Sequence, residues 1–158
     1  PVEQGLRDCM EKGVLAGYKV VGVKATLYDG SYHPVDSKEM AFKEAARLAY
    51  NNAMPNAKPV LLEPIDKVVV YAPEEYTGTI MGDITKRRGM IVDMQTTEDG
   101  EQEIVAEVPM AEILTYANEL RSMTQGRGKF TVSFERYQDA PKDVADKVIA
   151  AAKEKKAA

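Results

Sequence analysis

The chain has 158 residues, of which 44% are hydrophobic and 29% are charged, and its net charge is −4. This composition is typical of one ordinary or two small globular domains, and the balance of charge excludes a uniformly basic nucleic-acid binder. A single cysteine excludes an internal disulfide, and no apolar run approaches the roughly 20 residues that span a bilayer, so we expect no membrane partner.

The first 62 residues predict two helices and one strand. Residues 2–12 have an amphipathic helical pattern, and residues 18–28 are rich in β-branched side chains, which indicates a strand. After a polar loop at 29–37, Asp36 and Glu39 have the spacing of a capping box for a helix over 38–53. The residues predicted to form the apolar face of that helix are Met40, Ala41, Ala45, Leu48 and Ala49.

One strand cannot satisfy its own hydrogen bonds. We therefore expect residues 1–62 to be the second half of a βαβ-type domain whose first strands are missing. Pro1 opens within a helix-like segment, which suggests a piece of a longer protein. The expected consequence of a truncated domain is self-association in isolation.

Residues 63–137 predict the order β-α-β-β-α-β. Pro73 and Pro109 each open a helix, Gly89 is expected to end the first helix as its C-cap, and Asp99-Gly100 indicates a hairpin. The predicted strands are 64–72, 90–96, 102–108 and a segment from 129, and the predicted helices are 73–88 and 110–122. This is the ferredoxin-like order, so the fold class is α+β. Residues 138–158 predict a C-terminal helix and tail.

Sequence templates for enzymes do not match. The chain has neither a P-loop nor a nucleophile elbow, and one histidine with one cysteine cannot supply a metal cluster. The carboxylates fall at turns and helix starts, where capping explains them. We expect no catalytic residue and no metal site.

Three segments are candidates for binding nucleic acid. In the loop 29–37, Tyr32 and His33 precede a helix N-terminus and could contact unpaired bases or phosphate; the alternative is an ordinary loop capped by Asp36. Lys86-Arg87-Arg88 could clamp a phosphate or simply compensate a helix dipole.

The third segment is 121–129, where glycines flank Arg127 and allow close backbone approach to a ligand. The strand that follows resembles an RNA-recognition signature, so its aromatic side chains could stack on bases. The alternative is that Phe130, Val132 and Phe134 alternate toward the core.

At these segments the sequence closely resembles the translation elongation factor G family. The resemblance covers nearly the whole chain. Its motifs are Leu27-Tyr28-Asp29-Gly30-Ser31-Tyr32-His33, Val35-Asp36-Ser37, Pro59-Val60-Leu61-Leu62-Glu63-Pro64, Pro73-Glu74-Glu75-Tyr76, Arg87-Arg88-Gly89 and Leu120-Arg121-Ser122-Met123-Thr124-Gln125-Gly126-Arg127-Gly128.

The resemblance implies that residues 1–62 are half of the family's fourth domain and 63–137 its ferredoxin-like fifth domain. The loop 29–37 would be the tip that reaches the decoding site during tRNA–mRNA translocation, with Gly30, Ser31, Tyr32 and His33 near RNA. The candidates for rRNA contacts in the fifth domain are Arg87, Arg88, Arg121, Gln125 and Arg127.

The resemblance also implies a cytoplasmic, ribosome-binding protein whose GTP and Mg²⁺ sites lie in another domain, so that this part is not itself an enzyme. Pro34 stands after the tip histidine where the family more often has an acidic residue. A paralogue that recycles or protects ribosomes is therefore an alternative to a translocase. A stand-alone ferredoxin-like binding module is the other alternative.

Overall fold

The computed structural model describes all residues, 1–158, in two compact units. The first unit comprises Pro1–Leu61 and Ala140–Ala158, and the second comprises Leu62–Asp139. The backbone N–H of Ala140 donates to the carbonyl of Leu61 at 2.8 Å. The chain therefore leaves and re-enters the first unit at adjacent residues.

The first unit contains only helices and irregular segments. Its helices are α1 (Val2–Met10), α2 (Glu39–Ala53, continued by a 3₁₀ turn, Met54–Ala57) and α5 (Lys142–Ala157). Helices α1 and α2 pack closely, because a Cβ atom on Gly5 would lie only 2.8 Å from the carbonyl oxygen of Lys43. The buried stripe of α2 is Ala46, Tyr50 and Met54, which are spaced four residues apart as one helical face requires.

Two sequence predictions for this unit are wrong. The face of α2 predicted to be buried is open, with Met40 74% and Leu48 56% exposed, because α1 covers a different stripe. Residues 18–28 form no strand. Their β-branched pattern is real, but a strand needs a neighbour for its N–H and C=O groups, and this unit contains none.

The second unit is a four-stranded antiparallel sheet with two helices. The strands are β1 (Leu62–Pro73), β2 (Met90–Thr96), β3 (Glu101–Pro109) and β4 (Lys129–Asp139), and the helices are α3 (Thr77–Lys86) and α4 (Tyr116–Met123). The spatial order β2-β3-β1-β4 places the first strand beside the last. The predicted ferredoxin-like order and the α+β class are confirmed.

The core of this unit lies between one face of the sheet and the helices. Alternate residues of β1 and β3 point inward, as the register Val68↔Ala106 and Val70↔Ile104 shows. Helices α3 and α4 contribute one apolar stripe each. The buried cluster is Val68, Val70, Ala72, Ile80, Ile84, Ile104, Ala106, Val108, Tyr116 and Leu120.

The end of α3 differs from the prediction in its detail. Arg88, not Gly89, adopts the left-handed conformation, with φ of 60°. The N–H of Gly89 donates to the carbonyl of Ile84 at 2.9 Å, which closes the helix as in a Schellman motif. Gly89 is needed for space, because a Cβ there would lie 2.6 Å from Ile84 Cγ2 and 2.8 Å from Ile84 O.

Strand β4 is also less buried than its alternation predicts. Phe130 packs edge-on against Tyr116, with ring centroids 5.1 Å apart. Phe134, however, is 56% exposed and Val132 is 44% exposed, so their assignment to the core is wrong. The reason is position: β4 is an edge strand, whereas the most deeply buried residues of the sheet lie on β1 and β3.

Candidate nucleic-acid interface

The loop 29–37 presents its polar side chains to solvent. Residues Gly30, Ser31, Tyr32 and His33 are all exposed, with Tyr32 at 68%. The backbone of His33 is fixed at the same time: its N–H donates to Ser37 Oγ at 2.6 Å, and its carbonyl accepts the N–H of Ser37 at 2.9 Å. The sole histidine therefore stands on an ordered turn with its imidazole free.

The predicted cap of α2 by Asp36 is wrong. The N-cap residue is Lys38, in extended backbone conformation, and no side chain accepts a hydrogen bond from the first turn. The turn 33–37 places Ser37 Oγ on the N–H of His33 instead. The first N–H groups of α2 thus remain without a side-chain partner, next to the loop that carries Tyr32 and His33.

A second candidate segment lies in the second unit, at the turn between α4 and β4. Gln125 and Gly126 have positive φ angles of 54° and 80°. The buried hydroxyl of Thr124 donates to the carbonyl of Leu120 at 2.6 Å and accepts the N–H of Gly128 at 2.9 Å. The Thr124 hydroxyl therefore links the last turn of α4, at Leu120, to Gly128, just before β4.

This turn brings together three of the predicted rRNA-contacting residues. The N–H of Gly126 donates to the carbonyl of Arg121 at 2.8 Å, so the last turn of α4 closes directly onto Gln125 and Arg127. The Arg127 guanidinium bonds Glu75 Oε1 at 2.5 Å through Nη1 alone and lies 5.8 Å from the ring centroid of Tyr76. Its remaining nitrogens are free to donate.

Arg87 is engaged very differently. Its side chain is only 10% exposed, and all three nitrogens are used: Nε bonds Asp83 at 2.7 Å, Nη1 bonds the carbonyl of Glu112 at 2.5 Å, and Nη2 bonds Glu119. The guanidinium also lies 5.1 Å from the ring centroid of Tyr116. Burial opposes its charge, but the hydrogen bond to Asp83 and the neighbouring carboxylates raise the pKa of Arg87 overall.

Arg88 is saturated in a similar way. Its two terminal nitrogens bond both oxygens of Glu63 at 2.9 and 3.1 Å, and Nε bonds Glu112 at 3.2 Å. The hydrogen bond to Glu63 is the main reason that the pKa of Arg88 is raised. Both arginines of this segment are therefore engaged by acidic side chains of the second unit.

The two basic segments lie at opposite ends of β1. Arg88 bonds Glu63 near the start of that strand, and Arg127 bonds Glu75 just after its end. The strand between Glu63 and Pro73 has a length of roughly 33 Å at the usual rise per residue. Arg88 and Arg127 therefore lie far apart on the second unit.

The face of the sheet turned away from the helices carries an acidic excess that sequence reasoning missed. A shallow depression of about 370 Å³ on this face is lined by one cation, Lys67, and by four carboxylates. Those carboxylates are Asp93, Glu103, Glu107 and Glu135. Phosphate is repelled by such a surface. The aromatic side chains of Phe130 and Phe134 lie on the opposite face of the sheet, together with Val70 and Asp66.

No group of three His, Cys, Asp or Glu side chains is arranged to hold a metal ion. The cleft between α3 and α4, about 310 Å³, is lined by the carboxylates of Asp83, Glu112 and Glu119 and by the cations of Lys86 and Arg87. In addition, no helix combines the length and apolar character needed to cross a membrane.

Comparison with known protein families identifies the family of this chain. Residues 1–58 match the family model described as elongation factor G, domain IV, and residues 60–148 match that described as elongation factor G C-terminus. The chain belongs to the elongation factor G family. Its sequence resemblance to the fourth and fifth domains is confirmed, and the matched regions are distinct from a GTP-binding domain.

A solved structure is similar over almost the whole chain. A crystal structure of a protein from Thermus thermophilus superposes with a TM-score of 0.87 at 42% sequence identity. The match covers 97% of this chain and 23% of that one. The chain thus spans about a quarter of the length of this relative, and it has the fold of a C-terminal part of elongation factor G.

Proposed function

We propose that this chain is the ribosome-contacting part of a translation factor that promotes tRNA–mRNA translocation. Its loop 29–37 would enter the decoding site and contact RNA through Tyr32 and His33. The observation that carries the proposal is the arrangement of His33, whose backbone is bonded to Ser37 at 2.6 Å while its side chain is exposed. Family membership supports the ribosome as the proposed partner.

The mechanism needs no bond-breaking by this chain. A turn held by Ser37 presents an imidazole, a phenol and uncapped helix N–H groups, all of which can bond phosphate or base edges. Steric and polar contact with RNA would bias the movement of tRNA and mRNA forward. GTP and Mg²⁺ would be bound in another domain, and the protein would act in the cytoplasm with both ribosomal subunits.

The second unit would contact rRNA of the large subunit through the turn at Arg121, Gln125 and Arg127. Arg127 is one candidate, because it has unused donors and a 56% exposed side chain. Arg87 and Arg88 would instead support this contact indirectly, by holding α3 and α4 in place.

The test is His33→Ala in the complete factor. Translocation should slow by about tenfold or more, on the scale of a lost hydrogen bond to a charged group, while ribosome-stimulated GTP hydrolysis remains near the parent rate. Tyr32→Ala should act in the same direction. Tyr18→Ala is a matched control, since Tyr18 is 64% exposed but lies outside the loop. Equal loss of translocation and hydrolysis in His33→Ala would contradict the proposal.

A paralogue that acts in ribosome recycling or protection is the second candidate. The feature that favours it is Pro34, which follows His33 at the start of the turn and stands where the family more often has an acidic residue. The same variants, assayed for subunit splitting, separate the two functions. A defect in splitting with normal translocation would favour recycling.

A further inference from the structure

We propose that Glu75 is an intramolecular counter-ion that occupies the phosphate-binding position of Arg127 until RNA displaces it. The inference rests on the proposed contact of this turn with rRNA. It deepens that proposal by naming the ligand group, an RNA phosphate, and the residue that competes with it.

The first argument is the incomplete use of the Arg127 guanidinium. One bond, from Nη1 to Glu75 Oε1 at 2.5 Å, joins the pair, whereas Arg87 and Arg88 each engage three nitrogens. An arginine prefers two parallel bonds to a carboxylate or phosphate. The single bond to Glu75 leaves that preference unfilled and leaves Nε and Nη2 open to a ligand.

The second argument is the exposure of the pair. The side chain of Arg127 is 56% exposed and that of Glu75 is 60% exposed. Exposed ion pairs contribute little free energy, because water and salt screen them. A phosphate can therefore replace this carboxylate. Arg87, by contrast, is itself buried, so the loss of its partners would leave a buried charge unpaired.

The third argument is that Arg127 would keep its contact with Tyr76 when a phosphate replaces Glu75. The guanidinium lies 5.8 Å from the ring centroid of Tyr76, and this interaction does not use its N–H donors. The backbone of the turn is fixed independently by Thr124, which is fully buried. Arg127 would thus remain in place when Glu75 releases it.

The consequence for recognition is selectivity. A cation already paired with its own carboxylate attracts stray polyanions weakly, and binds well only where a phosphate is presented in the correct position. Glu75 would therefore suppress non-specific RNA binding while lowering affinity only modestly.

The experiment measures binding of the fluorescently labelled full chain to purified 70S ribosomes across a series of KCl concentrations. Glu75→Gln keeps the shape and removes the charge, and it should tighten binding by about two- to fivefold at low salt, as expected for an exposed ion pair. Glu74→Gln is the matched control, because Glu74 is exposed on the same short turn and makes no ion pair.

Arg127→Gln and the double variant Glu75→Gln with Arg127→Gln complete the cycle. The gain from Glu75→Gln should vanish in the Arg127→Gln background. An equal gain from Glu74→Gln, or a gain that persists without Arg127, would overturn the inference and leave ribosome binding through this turn intact. Unchanged affinity in Arg127→Gln itself would overturn both the inference and the proposed rRNA contact.

Discussion

Arg88 and Glu63 form a bidentate ion pair that ties the turn after α3 to the first residues of β1. The two bonds measure 2.9 and 3.1 Å, and Glu63 is only 8% exposed. The pair joins residues that are 25 positions apart in sequence. It is formed by an arginine in left-handed backbone conformation, so a strained residue carries a tertiary contact of the second unit.

Removal of this pair should destabilise the second unit. Arg88→Ala leaves the Glu63 carboxylate nearly buried without its partner, and we expect a loss of about 1–3 kcal/mol in the free energy of unfolding. Arg88→Gly loses the same pair but relieves the left-handed backbone, and should be about 1 kcal/mol more stable than Arg88→Ala. Urea unfolding followed by circular dichroism measures both.

Arg127→Ala serves as the control for this series, because its ion pair is exposed on both sides. It should leave the unfolding midpoint almost unchanged. If Arg127→Ala and Arg88→Ala were equally destabilising, burial of Glu63 could not be the cause.

Two glycines in and just after α3 should respond oppositely to alanine. Gly89→Ala brings a Cβ to 2.8 Å from the carbonyl oxygen of Ile84, a backbone atom that cannot move aside, and should destabilise by about 1–3 kcal/mol. Gly82→Ala, in the middle of α3 with open space around it, should stabilise by about 0.5–1 kcal/mol. Thermal unfolding of both variants gives the comparison, and the same sign for both would contradict the geometry.

Alkaline pH should weaken the second unit through Tyr116. Burial, with a smaller contribution from Asp83, raises the pKa of Tyr116 to about 12, from an ordinary value of 10.0. Because the folded state holds the phenol proton more tightly, its stabilising effect is complete below pH 10 and is lost as the pH rises toward 12. The expected loss is about 2–3 kcal/mol.

Tyr116→Phe isolates this effect. The Tyr116 hydroxyl is buried without a hydrogen-bond partner, so its removal should leave stability at about pH 7 unchanged or slightly higher. The difference between the two proteins, measured by urea unfolding from about pH 9 to about pH 11.5, should grow in favour of Phe. A constant difference would show that the pKa of Tyr116 is the same in the folded and unfolded states, so that burial does not raise it.

Self-association of the isolated chain should depend on the open face of α2. Met40→Lys with Leu48→Lys replaces two side chains that are 74% and 56% exposed, and should give a monomer without loss of helix. Sedimentation equilibrium over a concentration series measures the change. Met90→Lys with Val92→Lys, on β2, is the control pair, with exposures of 58% and 53%. If only the control pair abolished association, the interface would lie on the second unit.

The second unit was predictable because each of its local patterns finds its partner within the same unit. The alternation of Ile104, Ala106 and Val108 predicted a buried face, and all three are at most 1% exposed. The Asp99-Gly100 turn sets the hairpin between β2 and β3, with Gly100 at φ of 81°. Such patterns can be interpreted from sequence alone, because they depend on residues close in sequence and on a single core.

The first unit was predicted less well because its strand-like and core-like segments need packing partners that the unit does not contain. Residues 18–28 have the composition of a strand, but this unit contains no neighbouring strand to pair with them. Met40 and Leu48 have apolar side chains typical of a core, but no other element of the unit covers them. The candidate site also has one part that the sequence predicted and one part that it did not. Exposure of the loop 29–37 follows from its polar sequence, but the pairing of Arg87 with Glu119, 32 positions away, is a tertiary contact that spacing alone does not reveal.

The adjacency of Leu61 and Ala140 gives the second unit the topology of an insertion. Its first and last residues, Leu62 and Asp139, pair with each other at one end of the sheet. The chain therefore enters and leaves the second unit at neighbouring positions. The 2.8 Å hydrogen bond between Ala140 and Leu61 holds these two positions together. A module with such neighbouring ends could be excised, transplanted or replaced as a cassette, with a short peptide rejoining the cut.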